Sequence, residues 1–339
     1  VNNNGVYEPD LDGDGTKWED GEDDRPGLAS ADQVIWYVAN DLDKTATTAL
    51  YGSDPIGIEL QVTMWGYAQP DARLGQIVFK KYKFINRSGV DLTNTYVSQW
   101  SDPDIGTYTN DFVGCDTTLS LGFAYNGEDT DADFAKLGMA PAAVGYDFFQ
   151  GPIVESPGDT AVFNFDKRVG YKNLPMSSFG WFAAGSAITD PDLGQYVGTL
   201  QFYNLMKGFV PTDDIDNPVP WTIGNKDDNP TTKYPLAGDP ITEPESERVD
   251  GNGEYFSPGD RRMCLSTGPF TFAAGDTQEV VVAVIGGSST SRLKSLGEVK
   301  TTDQVAQTVY DNAFEGIPSA PAAPKPTFKT FEDEGVIEW

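Results

Sequence analysis

The sequence predicts a mainly β protein, an antiparallel β-sandwich of jelly-roll-like type, and three observations carry that prediction. Apolar residues recur in short stretches, several alternating residue by residue, as strands with one buried face require. Glycine (36) and proline (23) punctuate the spaces between them, which suits many short strands joined by turns. Helical periodicity is sustained in one place only, residues 291–314.

Taken in order, residues 1–30 are polar, acidic and glycine-rich, a segment of candidate calcium loops before the body at 31–315. Residue 1 is Val, and the start reads as that of a mature or excised piece of a longer protein. Residues 32–40 (DQVIWYVAN) are apolar and aromatic and read as a buried strand. Residues 59–67 alternate, and 76–85 alternate in part, with Lys80, Tyr82 and Phe84 on one side. After the turn at 86–89 comes a strand at 92–100, completing a meander. Further strands are expected at 118–125, 161–165, 178–184, 198–205 and 278–285, with a turn or two of helix at 132–137. In the long helical stretch Leu293, Leu296, Val299, Val305, Val309 and Ala313 share a face, with a break expected near Thr301 and Asp303 capping a second segment. Residues 211–260, rich in Pro, Asp, Asn, Gly and Thr, read as a long, ordered insertion or surface loop. Residues 316–326 form a proline-rich linker. Residues 327–339 resemble the first two strands of a fibronectin type III sandwich, or an assembly hairpin.

The net charge is -29, from 23 basic and 52 acidic residues. Such a surface repels nucleic acid and anionic membranes and attracts cations. No apolar run approaches the length of a membrane span, so no membrane insertion is expected. There is no histidine, which excludes Ser-His-Asp and Cys-His nucleophiles and disfavours zinc and copper. What remains is carboxylate chemistry and oxygen-ligated metals. Cys115 and Cys264 are far apart in sequence. In an exported protein they would close a long loop as a disulfide; the alternative is two buried thiols.

Two segments share one pattern. Asp12-Gly-Asp-Gly-Thr-Lys-Trp-Glu-Asp-Gly-Glu22 aligns with Asp250-Gly-Asn-Gly-Glu-Tyr-Phe-Ser-Pro-Gly-Asp260. Side-chain oxygens fall at positions 1, 3, 5 and 11: Asp12, Asp14, Thr16 and Glu22 in the first, Asp250, Asn252, Glu254 and Asp260 in the second. Glycines between them let the backbone curl around an ion, and Trp18 and Phe256 would offer carbonyls at position 7. The expected ion is calcium. Position 12 holds Asp23 or Arg261 rather than the bidentate glutamate of an EF-hand, so the loops are closer to those of thrombospondin type 3 and dockerin-like repeats. Asn2, Asn4 and Asp10 fit an overlapping first loop. Asp102-Pro-Asp-Ile-Gly106 and Asp190-Pro-Asp-Leu-Gly194 match each other, so Asp102, Asp104, Asp190 and Asp192 are further candidate ligands, against the alternative of turn chemistry alone.

The phrases QVIWYVANDLD (33–43), PIGIELQVTMWG (55–66), QWSDPDIG (99–106), GCDTTLSLG (114–122), GYDFFQGP (145–152) and GDTQEVVVA (275–283) resemble large surface proteins of Bacteroidota and Ignavibacteria. Those often carry fibronectin type III modules and a type IX secretion sorting domain. The resemblance covers most of 30–315 and implies secretion and a surface or extracellular role, with no catalytic residues established for the family. It also implies O-glycosylation at Asp-[Ser/Thr] motifs, here Thr117 and Thr160. No carboxylate pair stands out for glycoside hydrolysis. The expected function is therefore non-enzymatic: a calcium-stabilised subunit of a surface filament or layer, self-associating as a homopolymer or docking on neighbouring sandwich domains. The alternative is a carbohydrate-binding adhesin module, with Trp65, Tyr67, Trp100 and Trp181 available to stack on glycans.

Overall fold

The computed structural model describes residues 31–69, 72–251, 257–315 and 317, and the backbone of 327–330 and 335–338. In chain order the body begins with β1 (Gln33–Asn40), α1 (Lys44–Tyr51), β2 (Ile58–Gly66), β3 (Ile77–Asn86) and β4 (Leu92–Ser101). It continues through β5 (Asp111–Asp116), β6 (Leu121–Asn126), α2 (Ala132–Ala135), β7 (Ala143–Gln150), β8 (Ile153–Phe163), β9 (Asp166–Asn173) and β10 (Ser178–Ala183). Then come α3 (Tyr196–Met206), β11 (Trp221–Thr222), β12 (Thr231–Thr232), β13 (Arg261–Phe272), β14 (Thr277–Gly287) and α4 (Arg292–Asp311). Strands β15 (Thr327–Thr330) and β16 (Gly335–Glu338) pair as the hairpin the sequence suggests.

Two antiparallel sheets make the body among the described residues. The larger runs β1-β2-β3-β14-β7-β6-β5, so β14 inserts late between two earlier meanders. The smaller runs β10-β13-β4. Alternation along the strands divides their side chains between two cores. Val280 and Val282 of β14 face the small sheet and meet Phe179, Trp181, Met263 and Leu265. Ala283 and Ile285 face the other way, where Leu296, Val299 and Ala306 of α4 cover Phe79, Leu121 and Phe123. The sandwich therefore has a third layer, the helix.

Several expectations are corrected. Strand β1 forms but is an exposed edge, with Ile35 48%, Tyr37 43% and Val38 46% accessible. Three strands and one helix do not cover both faces of seven strands out to this edge. Residues 198–205 lie in α3 rather than a strand, because a short apolar run does not distinguish the two by itself. The strand expected at 161–165 ends at Phe163, and Asn164 and Phe165 form the turn into β9. Helix α4 runs unbroken through Thr301, whose hydroxyl donates to the carbonyl of Gly297 within the helix. The insertion is ordered where described: Trp221, Leu236 and Val249 are buried, and Trp221 stacks on Trp181. No helix among the described residues is long and apolar enough to cross a membrane.

Candidate cation site

Strand β13 opens with Arg261-Arg262, and successive strand residues point to opposite faces. Arg261 turns inward and is 2% exposed. It binds Asp250 with two bonds, Nε to Oδ2 at 2.9 Å and Nη2 to Oδ1 at 3.3 Å, and donates to the Ser257 carbonyl. Its guanidinium lies 4.9 Å from the Trp181 ring centre. Burial raises the Asp250 pKa, and Arg261 opposes the rise. Asp250 also accepts the Val113 N–H, so its carboxylate is occupied within the protein. The position 1 ligand expected of the second calcium loop is thus the partner of a buried arginine.

Arg262 turns outward and gathers the proline turns. Its Nε lies 3.2 Å from Asp102 Oδ1 and 3.4 Å from Asp190 Oδ1, and its Nη1 lies 3.0 Å from Asp260 Oδ2. The first aspartate of each repeated DPD turn therefore meets the last ligand position of the second acidic motif. Carboxylate oxygens of Asp102, Asp104 and Asp260 lie within 4.8 Å of one another. Asp102, Asp190 and Asp260 face the Arg262 guanidinium, and Asp104 joins Asp102 and Asp260, so the group carries a formal excess of three negative charges over one arginine. Burial raises the Asp102 pKa, Asp260 and Asp104 add to the rise, and Arg262 opposes it. Asp192 is exposed and outside this group.

The turn carrying Asp102 and Asp104 is fixed from behind. Gly106 adopts φ +71°, and a Cβ there would strike the Asp131 carboxylate. Gly194 in the matching turn has the same φ, so the repeat is one of backbone shape. Asp131 accepts the Thr107 N–H and caps α2 through the N–H groups of Asp133 and Phe134. Burial works to raise its pKa, but these donors prevail and hold it down at about 2. Asp111 is wholly buried; one oxygen accepts the Ile105 N–H and the other has no partner. Burial, with Asp104 and Asp131 adding, pushes its carboxyl up to about 8. An orphaned buried carboxylate oxygen within the field of Asp104 is what a bound cation would satisfy.

A second acidic feature lies under α4. Asp147 of β7 and Asp303 of α4 are each about 1% exposed. No well-placed donor satisfies either oxygen of Asp147 or Oδ1 of Asp303, and the two carboxyls are left to bond with each other. Burial and the facing Asp303 raise Asp147 well above the carboxylate range, and burial pushes Asp303 up to about 6. Two such carboxyls in contact share a proton. Asp303 also lines a cleft of about 280 Å³ with Thr118, Ser120, Gln304 and Gln307. It is not the helix cap that sequence spacing suggests.

The remaining candidates fall into four groups. Asn2, Asn4, Asp10, Asp12, Asp14, Thr16, Trp18 and Glu22, with Asn252, Glu254 and Phe256, lie outside the described residues. Cys115 and Cys264 are free thiols, not a disulfide. Both pack as small apolar residues of the inter-sheet core, one on each sheet, and burial raises both thiols, Cys264 to about 12. Thr117 and Thr160 are solvent-exposed, as an attachment site requires. Of the aromatics considered for sugar stacking, Trp65, Tyr67 and Trp181 are core and Trp100 is exposed beside Asp102.

Sequence reasoning missed Asp111, Asp131 and the two arginines. The available signal was the DPDxG repeat itself, since a glycine held at positive φ marks a turn built against something. No protein-family model matches the chain, and no curated protein matches it.

Proposed function

We propose that the chain is a non-enzymatic extracellular structural protein, a calcium-stabilised subunit of a surface filament or surface layer. One observation carries this: Asp102, Asp104 and Asp260 approach within 4.8 Å from distant segments, with charge in excess of what Arg262 offsets. Calcium suits such a site because it accepts six to eight oxygens in flexible geometry. Asp104 and the orphaned oxygen of Asp111 are the groups Arg262 leaves unserved. An ion here would tie the 101–111 turn to the start of β13, and so the rim of one sheet to the other.

The adhesin alternative has its own support in Trp100, exposed two residues before Asp102. An aromatic face beside a cation suits a sugar ring.

Thermal melting of the full chain with calcium, and with chelator, tests the cation. Calcium at about a hundred times its dissociation constant should add about 2.7 kcal/mol to stability. Asp104→Asn should remove the gain and Asp192→Asn should keep it. Melting curves that coincide with and without calcium would sink the proposal. Negative-stain microscopy tests assembly: isolated particles under all conditions would remove the filament and leave the adhesin, for which glycan-array binding is the direct check.

A further inference from the structure

We propose that Lys81 and Asn164 are joined by an intramolecular isopeptide bond, formed with Glu279 as proton carrier. The three residues come from different parts of the chain: β3, the β8–β9 turn and β14. Lys81 and Glu279 sit on adjacent strands of the large sheet, on the face that α4 covers further along. Asn164 is delivered by a two-residue hairpin turn, Phe163 pairing with Asp166.

The geometry is that of an amine held against an amide. Lys81 Nζ donates to Asn164 Oδ1 at 3.0 Å, so the amine is seated against the amide group whose carbon it would attack. The same Nζ is 3.8 Å from Glu279 Oε1, so the amine is closer to the amide than to the acid. Glu279 Oε2 accepts the backbone N–H of Asn164 at 2.6 Å and thereby fixes the turn over the amine. The side chains of Lys81 and Glu279 are 16% and 1% exposed, unlike those of an ordinary surface ion pair. The Phe165 ring lies 4.7 Å from Nζ and shields it further.

Backbone strain at the turn supports a specific role. Asn164 and Phe165 both have positive φ, 52° and 62°. Asparagine tolerates this conformation and glycine usually follows it; phenylalanine does not favour it. The strain is held because Phe165 packs edge-on against Trp65 and Phe314. The result places one amide side chain over one lysine.

The chemistry balances without an outside reagent. Burial lowers the Lys81 pKa and so favours the neutral amine, although Glu279 works against that shift; the Glu279 carboxylate, 3.8 Å away, is placed to receive the ammonium proton. The Nζ lone pair attacks Asn164 Cγ. Glu279 then delivers that proton to Nδ2, the Cγ–Nδ2 bond breaks and ammonia leaves, while the freed Glu279 carboxylate takes the surplus proton from Nζ and passes it to the departing ammonia as ammonium. One amine and one amide become one substituted amide and ammonia. Asn164 is exposed, so ammonia departs directly into water. The new bond would staple the β8–β9 hairpin, which forms a sheet of its own, to the middle of the large sheet. The inference does not depend on calcium or on assembly.

Intact mass spectrometry of the purified, denatured full chain decides it. The expected mass is one ammonia below the sequence mass, with a branched peptide joining the Lys81 and Asn164 segments after digestion. Lys81→Arg, Asn164→Ala and Glu279→Gln should each restore the full mass, with folding checked by circular dichroism. Full sequence mass in the folded wild-type chain would overturn the proposal. So would ammonia loss that persists in Lys81→Arg, which would place the loss elsewhere. If a variant fails to fold, the branched peptide in the wild-type digest still gives the answer by its presence or absence.

Discussion

Arg261 and Arg262 are adjacent in sequence and opposite in energetics. Arg261 and Asp250 are both buried, so removing one charge strands the other without water. Arg261→Met should cost about 3–5 kcal/mol in chemical denaturation. Arg262 has partners open to solvent, and Arg262→Met should cost about 1 kcal/mol or less. Equal losses would show that the division between the two arginines is misjudged. The Asp147–Asp303 pair predicts a pH dependence. In the unfolded chain both carboxyls titrate near about 4, whereas in the folded chain both hold protons to higher pH. The folded state therefore binds more protons, and stability falls as pH rises from about 4 through about 6 and beyond. Asp111 contributes with the same sign up to about 8. Nearby Lys300 does little to relieve the pair, since it is held by Asp116 at 3.0 Å and Asp239 at 3.2 Å; Asp311 adds further repulsion. Asp303→Asn supplies a permanent amide donor to Asp147, so its stability profile between about pH 5 and 8 should be flatter than wild type. Parallel profiles in urea denaturation would show that the pair shares no proton.

The elements were legible where periodicity was long or turns were chemically marked. Leu296, Val299 and Val309 announced α4, and the DPDxG turns announced themselves by proline, aspartate and glycine. Residues 198–205 misled because their apolar run is as short as a strand and the face they bury is small. The candidate site was half legible. Asp102, Asp104 and Asp260 follow from spacing, but their meeting is set by strand order, which no local pattern encodes. Asp147 hid in an ordinary alternating strand, and Asp303 looked like a cap. How closely α4 seats on the sheet depends on two glycines in extended strands. A Cβ at Gly287 would meet the backbone carbonyl of Ser295, and one at Gly145 would meet the Val299 side chain. Backbone cannot swing aside as a side chain can. Gly287→Ala should therefore cost more than Gly145→Ala, within the roughly 1–3 kcal/mol typical of overpacking. The opposite order in guanidinium denaturation would mean that α4 shifts as a rigid body.

At the scale of the whole molecule the charge of -29 acts on every element at once. Self-repulsion opposes the compact state, and any dissolved salt relieves part of it by screening, over about 10 Å at 0.1 M. A rise in melting temperature with calcium chloride would thus follow even without a site. The two contributions separate by ion identity. Screening depends on ionic strength and valence and treats calcium and magnesium nearly alike. A site of converging carboxylates does not, because magnesium demands near-octahedral geometry and gives up its waters reluctantly. At equal ionic strength the melting temperature should rise least with sodium chloride, more with magnesium chloride and most with calcium chloride. The calcium-over-magnesium increment should vanish in Asp104→Asn, since Asp104 belongs to the Asp102–Asp260 cluster and borders the buried Asp111. The sodium response should persist in that variant, because one charge among so many hardly alters the overall field. If calcium and magnesium coincide in the wild-type chain, the cluster around Arg262 selects no ion and the protein's stability answers to ionic strength alone.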